Sequence, residues 1–408
     1  MNRKIEKKLF LHLINYYLFV IIYFCVIRVF NMGNSIANLR YYFLFWAMIA
    51  TLIALLRKKK VVSSDDIYSK ELLYTLPLSI FFLLYSFYIA HTEGGHIFFR
   101  TYVQVSLIFM PALYAFGLIN LFSTERIIKM MKVSFVIAVI FYLSELEFGL
   151  AFFSPSNYYN LSFANSFTES SLCSGVFTQL FLFFNYFSNA YNSNRVRLVK
   201  KSWVFYSFIF AVLSFKRLSI LFMILIILMN SIIDIRGQLN KKIYIIMAIF
   251  FTISTFFYKQ FMDGTFITSI NVYHFTSGRD YILSLWKQYN YISYGYGSSM
   301  ILIGRYLEMD LVQIYLELSI FAVFIFSYVY FKIAKKNIYS IMIMVYQFLG
   351  LLTASSLPSS LEWIIMLITI GIISSSKLDN ENIFIQVSPR RFPRLFSIGK
   401  KPNIRRYI

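Results

Sequence analysis

Apolar stretches alternate with short polar segments along nearly the whole chain, a pattern typical of proteins that cross a membrane many times. Hydrophobic residues make up 59% of the 408 positions. A hydrocarbon core about 30 Å thick requires roughly 20 apolar helical residues per crossing. We therefore predict an all-α polytopic membrane protein with about twelve transmembrane helices. The predicted spans are 9–28, 41–56, 72–90, 102–121, 133–152, 172–188, 203–216, 218–233, 243–258, 310–331, 338–354 and 361–376.

Basic residues predict the orientation of these helices. If both termini are cytoplasmic, the inside segments hold 30 of the 39 Lys and Arg residues and 8 of the 18 acids, a net charge of +22. The rest of the chain sums to −1, so the positive-inside rule accounts for the whole imbalance. The inside segments are 1–8, 57–71, 122–132, 189–202, 234–242, 332–337 and 377–408.

The high isoelectric point, about 9.7, does not indicate nucleic-acid binding, because topology already explains the positive charge. We expect the basic tail, 377–408, to lie against anionic lipid headgroups. Cys25 and Cys173 fall in or at the edge of predicted spans without metal-binding spacing, so neither a disulfide nor a metal site is expected. The N-terminal basic residues and the long apolar run after them predict a retained signal anchor.

One connection is much longer than the others. Residues 259–309 form a segment of about fifty residues between helices 1–9 (1–258) and helices 10–12 (310–376), on the predicted outer face. The segment is rich in aromatic and aliphatic residues, so we expect it to fold. Ser277 resembles a helix N-cap. Tyr281, Leu285, Trp286 and Tyr289 then follow at helical spacing, which predicts a short amphipathic helix on the membrane surface with Trp286 at headgroup depth.

Two arginines on the predicted outer face are candidates for binding an anion. Lys216 and Arg217 lie between the seventh and eighth spans, where basic residues oppose the orientation rule. We expect Arg217 to bind a lipid-linked phosphate or diphosphate, and Lys216 to extend towards ordinary headgroups. Arg279 opens the surface helix after Gly278, where free backbone N–H groups favour an anion. A helix-end charge pattern with Asp280 is the alternative for Arg279.

Acidic residues are concentrated on the same side. Glu308 and Asp310 stand where the outer segment meets the membrane and are candidates to accept a proton from a sugar hydroxyl. Glu317 lies seven residues after Asp310, on the same helix face. An acid within a span is expected to have a partner, so Glu317 is a candidate to pair with Arg217 or Arg279, or to line a polar vestibule.

Other chemistry is weakly represented in the sequence. His91, His96 and His274 lie in predicted outer segments, and His274 is a supporting candidate in the long one. There is no P-loop, no dinucleotide-binding glycine motif and no zinc-protease motif, so no cofactor or metal is expected. A leaving group would have to come from the membrane itself.

The order of these features resembles the O-antigen polymerase and ligase superfamily, and within it a Wzy-type O-antigen or capsular polysaccharide polymerase. The likeness covers about residues 203–330 in pattern and the remainder in span count only. It rests on an ordered set and not on one motif: Lys216-Arg217, Ser277-Gly278-Arg279, Trp286, Gly295-Tyr296-Gly297, and Glu308 with Asp310-Leu311.

This resemblance implies a GT-C-like membrane glycosyltransferase in a bacterial cytoplasmic membrane. It would join undecaprenyl-diphosphate-linked repeat units into lipopolysaccharide O-antigen or capsule chains, with a chain-length regulator protein as a further partner. Arg217 and Arg279 take the positions of the family's two arginines, which are assigned to the diphosphates. Where many relatives have a His, this chain has Glu308, so a histidine base cannot be carried over to that position.

Three other classes of protein remain alternatives. An O-antigen ligase would differ only in its acceptor. A lipid-linked oligosaccharide flippase should show related halves and short loops, whereas this chain shows no internal repeat and one long outer segment. Another membrane transferase, such as an acyltransferase, is the third.

Overall fold

The computed structural model describes residues 3–29, 39–59, 67–159, 168, 170–188, 198–232, 242–264, 279–304, 307–354 and 356–375, and all regular secondary structure within them is helical. The first helices are α1 (Arg3–Val29), α2 (Leu39–Lys59), α3 (Thr75–Thr92), α4 (Phe99–Leu121), α5 (Thr124–Glu145), α6 (Ser171–Ser188), α7 (Lys201–Leu213), α8 (Arg217–Ile232) and α9 (Ile243–Met262). These are followed by α10 (Arg279–Gln288), α11 (Ser298–Ile303), α12 (Asp310–Glu317), α13 (Ile320–Ala334), α14 (Ile338–Thr353) and α15 (Ser360–Ser374).

Many of these helices are apolar along their length. Within the described residues, five segments are long and apolar enough to cross a membrane: Leu39–Arg57, Lys70–Thr92, Phe99–Leu121, Thr124–Glu145 and Ile243–Met262. Seven shorter apolar helices are also present: Leu9–Cys25, Leu172–Ser188, Lys201–Leu213, Arg217–Met229, Ile320–Ala334, Ile338–Thr353 and Ser360–Ser374. The helical structure and the five helices of membrane-spanning length confirm the prediction of a helical membrane protein.

The helix α15 forms the centre of the bundle. Every residue from Ser360 to Ser374 is buried, which is the behaviour expected of a helix that is apolar on all sides. It packs against α4 and α6, whose side chains are themselves mostly buried. The Ile119 side chain of α4 packs against Gly371, whose carbonyl accepts a hydrogen bond from Ser69 Oγ at 2.7 Å.

Peripheral helices present large apolar side chains outward. Trp46 on α2 is 66% exposed, Leu84 on α3 is 62% exposed and Leu221 on α8 is 68% exposed. A contiguous apolar exterior of this kind is unfavourable in water and is expected where the surrounding medium is lipid. The bundle therefore has a buried centre and an apolar outer surface.

Two predicted spans were placed wrongly. Helix α5 runs over Thr124–Glu145 and not over 133–152, because the chain turns at Phe148 and Gly149, which adopt φ values of 54° and 93°. The predicted span 310–331 is two helices, α12 and α13. The break falls at Ser319, whose extended backbone lets its side chain accept a hydrogen bond from Ala322 N at 3.2 Å and so start α13.

The described part of the long connection folds against the helix ends. We call residues 279–304 and 307–309 the cap, and the end of the bundle where α9 stops and α12 starts the cap end. The predicted short helix is present as α10, and its buried residues are Leu283, Leu285 and Trp286. Leu283 and Trp286 are buried against a cluster that includes Met262, and the Trp286 ring centroid lies 4.4 Å from that of Tyr291. Trp286 therefore packs inside the protein and not among headgroups.

The remaining aromatic residues of α10 lie on its other side. Tyr281 and Tyr289 are 55% and 62% exposed, whereas Leu285 and Trp286, predicted on the same face, are buried. Ion pairs fix the helix to the end of α9, where Asp263 contacts Lys259 and, at 3.0 Å, Lys287. The cap is thus attached by an apolar cluster and a charged link.

The predicted orientation of the helices determines which introduced cysteines a membrane-impermeant thiol reagent will reach. In a protein with Cys25 and Cys173 replaced by serine, we expect Tyr289→Cys in the cap to be labelled in intact cells. Arg57→Cys, at the exposed end of α2 furthest from Arg40, should be labelled only after permeabilisation. The residue pair Arg40 and Arg57 spans about 25 Å of helix, enough to separate the two membrane faces. Equal labelling of both cysteines in intact cells would contradict the predicted orientation.

Candidate functional site

Among the residues that the structure describes, three buried acids lie at the cap end of the bundle. Asp310, Glu317 and Glu362 are 4%, 1% and 6% exposed. Burial of a carboxylate is costly unless hydrogen bonds or a cation compensate, so the surroundings of each acid indicate what it does.

Glu317 organises the turn that precedes α11. One carboxylate oxygen accepts a hydrogen bond from Gly297 N at 2.6 Å, and the other accepts from Ser299 N at 3.0 Å and Ser299 Oγ at 2.5 Å. Gln313 Nε2 lies 3.1 Å from both oxygens. The Ser293 hydroxyl also donates to the Glu317 backbone carbonyl. These contacts attach the cap to α12.

The turn before α11 is also hydrogen-bonded to α3, and a tyrosine hydroxyl contacts it. Tyr296 N donates to Ser86 Oγ at 3.0 Å, and the Tyr291 hydroxyl lies 2.5 Å from Ser298 Oγ. Burial raises the pKa of the Tyr291 phenol, so the hydroxyl stays neutral and serves as a hydrogen-bonding group. Gly297, at φ 87°, packs closely on α4, and a Cβ there would lie 2.9 Å from Gln104 Cγ and 3.3 Å from Arg100 Cγ.

Asp310 fixes the segment that leads into the central helix. Its Oδ2 accepts hydrogen bonds from Ser356 N at 2.7 Å and Leu357 N at 2.9 Å. The Ser356 carbonyl in turn accepts a hydrogen bond from Trp363 Nε1 at 2.9 Å. Asp310 therefore holds the start of α15 in position.

Glu362 stands in the first turn of α15 beside a cation. The Lys216 ammonium interacts electrostatically with its carboxylate. The side-chain amide of Gln347, oriented to satisfy its neighbours, donates to Glu362 Oε1 at 3.0 Å. Gln179 on α6 lies 2.9 Å from the Gln347 amide, so the polar groups continue across the core. Gly175 leaves the space that the carboxylate occupies.

Tyrosines connect these acids with two further arginines. The Tyr296 phenol interacts electrostatically with Asp310, Glu317 and Arg100. On the opposite side, the fully buried Tyr23 of α1 interacts with Glu362 and Arg40. The polar groups at the cap end form one continuous region.

Arg40 and Arg100 were not among the predicted site residues. Arg40 and Arg100 are the second residues of α2 and α4. From the sequence, each resembles an ordinary arginine at a helix end. Both arginines lie on the predicted outer face, where the positive-inside rule disfavours basic residues. The same sequence signal selected Arg217. The mutual proximity of Arg40 and Arg100 depends on the packing of α2 against α4, which no local pattern reveals.

The predicted cationic residues are distributed over two parts of the cap end. Arg217 starts α8 and is exposed, whereas its neighbour Lys216 is half-buried and faces Glu362. The Lys216 ammonium is therefore near a buried carboxylate, which the sequence did not indicate. Arg279 starts α10, is half-buried and interacts electrostatically with Tyr258 of α9. Gly278 and His274 lie outside the described residues.

The predicted acids separate into one exposed and two buried groups. Glu308 is exposed and adopts φ 57°, a left-handed conformation that is strained for a non-glycine residue. Asp310 is buried and already accepts two backbone hydrogen bonds, so a role as proton acceptor would compete with them. Glu317 is on the same helix as Asp310, as predicted, but its carboxylate is used by Gly297, Ser299 and Gln313.

Comparison with protein-family models, with curated proteins and with solved structures finds no match for this chain. Among the described residues, no group of three or more His, Cys, Asp or Glu side chains is arranged to hold a metal ion. The resemblance to the O-antigen polymerase and ligase superfamily stays a prediction that rests on the residues quoted for it.

The close contact at Gly175 generates a prediction about stability. Gly175→Ala should lower the thermal stability of the detergent-solubilised protein, because the added methyl group would displace the Glu362 carboxylate from Lys216 and Gln347. A loss of about 1–3 kcal/mol is expected for disturbing a buried polar network. The matched control is Gly350→Ala in α14, where only Ser356 is nearby at 3.9 Å and the helix should tolerate alanine. Equal melting temperatures for the two variants would contradict this account of Gly175.

Substitution of Glu317 and of Glu308 should distinguish the acid that attaches the cap from the acid that is exposed. Glu317→Gln removes an acceptor for backbone N–H groups in the cap and should destabilise the protein by about 1–3 kcal/mol. Glu308→Gln changes an exposed side chain and should leave the unfolding midpoint within about 0.5 kcal/mol of the wild-type value. Limited proteolysis of the cap, run alongside thermal unfolding, should show faster cleavage for Glu317→Gln only. Similar behaviour of both variants would refute the assignment of Glu317 as the anchor.

Proposed function

We propose that this chain is a Wzy-type membrane polysaccharide polymerase, a glycosyltransferase that joins undecaprenyl-diphosphate-linked oligosaccharide repeat units into O-antigen or capsule chains. The proposed location is the bacterial cytoplasmic membrane, with both termini in the cytoplasm and the cap outside. A GT-C-like fold of twelve spans belongs to the same proposal.

One observation carries the proposal: basic side chains and buried acids meet at the cap end of an otherwise apolar bundle. Lys216 interacts electrostatically with Glu362 and Arg100 with Glu317, and Arg217 and Arg279 are the first residues of α8 and α10. Cationic groups beside a lipid phase are suited to a substrate whose head is anionic and whose tail is apolar. A folded cap over such a region supports transfer chemistry more than simple passage through the membrane.

The proposed reaction needs little from the protein beyond charge and position. An acceptor sugar hydroxyl forms a bond to the anomeric carbon of the donor, and the bond from that carbon to the carrier diphosphate breaks. Arg217 and Arg279 would bind the diphosphates and stabilise the charge that develops on the leaving group. The hydroxyl proton would pass to a carboxylate. Glu308 is exposed and so better suited to meet a sugar than the buried Asp310.

Two alternatives rest on the same region. An O-antigen ligase would use the same cations with a different acceptor, and nothing in the cap separates the two. A flippase would carry lipid-linked oligosaccharide through a central path, but in the described bundle that centre is filled by the fully buried α15. The polymerase is therefore preferred to the flippase on the position of α15.

Deletion of the gene distinguishes these functions. Loss of a polymerase should leave single repeat units on the surface glycan, seen as one short band on a gel. Loss of a ligase should instead leave long chains on the lipid carrier, and loss of a flippase should remove exported units altogether. A normal ladder of chain lengths in the deletion strain would refute all three.

Complementation with arginine variants tests the proposed site. Arg217→Ala and Arg279→Ala should each give the single-repeat phenotype, because removal of one charge-assisted contact to a diphosphate costs about 1.5–3 kcal/mol, roughly a tenfold to hundredfold effect. The control is Arg57→Ala, an exposed arginine at the other end of α2, which should restore the ladder. Membrane fractions must contain equal amounts of each variant. Long chains in both site variants would contradict the assignment.

A further inference from the structure

One buried tyrosine hydroxyl joins three parts of the chain beside the turn that carries Lys216 and Arg217. Tyr142 lies in the last turn of α5 and is 1% exposed, and its hydroxyl oxygen is 2.9 Å from the carbonyl oxygens of both Thr168 and Leu213. Thr168 precedes α6, and Leu213 is the last residue of α7. The hydroxyl therefore links the end of α5 to the end of α7 and to the segment that leads into α6.

The aromatic ring and the hydroxyl of Tyr142 make separate contributions. The ring packs edge-on against Phe177 of α6 and Phe210 of α7, at centroid separations of 5.7 and 6.1 Å. The hydroxyl has one proton, which the two carbonyl oxygens share, because a phenol donates a single hydrogen bond. A phenylalanine at this position would keep the ring contacts and remove only the donor.

The turn between α7 and α8 has an unfavourable backbone conformation. Phe215 adopts φ 55°, in the left-handed region that disfavours residues with a side chain. Phe215 N donates to Val212 O and Ser214 N donates to Phe210 O, each at 3.0 Å, so α7 ends in a hydrogen-bonded turn. A conformation of this kind persists only where surrounding contacts hold it. The residues that follow directly are Lys216 and Arg217.

Contacts hold this turn from both sides. Ser170 N donates to Ser214 O at 3.3 Å, which joins the turn to the segment before α6. In the first turn of α8, Ser219 Oγ lies 2.7 Å from the Tyr346 hydroxyl of α14. The two ends of the turn are therefore attached to different helices, and the Tyr142 hydroxyl attaches the end that belongs to α7.

Arg217 depends on this turn for its position. The arginine is exposed and stands two residues after Phe215, so a change in the Phe215 backbone would move its guanidinium group. Lys216 O accepts a hydrogen bond from Ile220 N at 3.1 Å, so α8 starts directly after the turn. A long side chain binds phosphate oxygens in a fixed geometry only where its backbone is held in place.

We propose that Tyr142 is a positioning residue for Arg217. Its hydroxyl holds the end of α7, and the strained turn then directs Arg217 towards the lipid-linked diphosphate. This inference rests on the proposed function, in which Arg217 binds a diphosphate, and it adds a residue of α5 that does not itself contact the substrate.

A double-mutant cycle distinguishes positioning of Arg217 from general support of the fold. Initial polymerisation rates are measured with the purified full-length protein, and the substrate is the lipid-linked repeat unit extracted from the deletion strain. Tyr142→Phe should lower the rate about tenfold, because a small displacement of a substrate-binding group is costly. It should cause no further loss in the Arg217→Ala background, but its full loss in the Arg279→Ala background. Equal further losses in both backgrounds would overturn the proposal.

Tyr330→Phe is the matched control. The buried Tyr330 hydroxyl donates to the Ile108 carbonyl at 3.0 Å, so this variant also removes a buried hydrogen bond from a phenol to a carbonyl, between α13 and α4. Tyr330→Phe should lower the melting temperature about as much as Tyr142→Phe does, but leave the rate within about twofold of the wild-type value. Similar rates for the two variants would contradict a specific role for Tyr142.

A second replacement at the same position restores the donor. p-Aminophenylalanine at position 142 has an uncharged amino group with two N–H donors, one for each carbonyl oxygen. The protein that carries it should melt no lower than Tyr142→Phe, and its rate should return to within about threefold of the wild-type value. A rate as low as that of Tyr142→Phe would overturn the role of the hydroxyl as donor.

Hydrogen exchange reports on the turn without an assay of activity. The amides of Ser214, Phe215 and Ile220 are hydrogen-bonded in the wild-type structure. Tyr142→Phe should speed exchange in a peptide covering 214–220 at least about fivefold, whereas Tyr330→Phe should not. Unchanged exchange of this peptide in Tyr142→Phe would overturn the proposal.

These outcomes separate the inference from the proposed function. Faster exchange of 214–220 in Tyr142→Phe together with a normal glycan ladder in the deletion strain would keep Tyr142 as the residue that holds the Arg217 turn, and reject the polymerase. Unchanged exchange together with the single-repeat phenotype in the deletion strain would reject the role of Tyr142 and keep the polymerase.

Discussion

A carboxylate in the first turn of a helix that is buried on every side constrains the whole bundle. Glu362 cannot remain in the apolar centre without compensation, and the neighbouring helices each supply part of it. Lys216 contributes a positive charge from the start of α8, Gln347 contributes an amide from α14, and Gly175 on α6 leaves room. Because these groups come from different helices, the helices must meet in one relative arrangement for the carboxylate to be satisfied.

The break between α12 and α13 serves the same end of the molecule. If α12 had continued as one span, Glu317 would have stood in the middle of a helix with its carboxylate directed at a neighbour. Because the helix stops at Glu317, the carboxylate reaches the backbone N–H groups of Gly297 and Ser299 in the cap. The cost of interrupting the helix is offset by hydrogen bonds that attach the cap to the bundle.

Local patterns predicted the elements that depend on local physics. Apolar length predicted the helices, and the spacing after Ser277 predicted α10, because both follow from residues near each other in sequence. The burial of Leu283 and Trp286 inside the protein was not predicted because their partners Met262 and Leu307 are outside the helix. The break at Ser319 was missed because Glu317 and Ser319 interrupt an otherwise apolar run that contains no glycine or proline.

The acids join the cap to the bundle centre through one short stretch of chain. Asp310 accepts hydrogen bonds from Ser356 and Leu357, and this stretch leads directly into α15 and so to Glu362. Asp310 also starts α12, which ends at Glu317 and the cap. A displacement of the cap that moved α12 would therefore change the position of α15 and the electrostatic interaction between Glu362 and Lys216. These hydrogen bonds connect the cap, through α12 and the stretch at Ser356 and Leu357, to the buried helix α15.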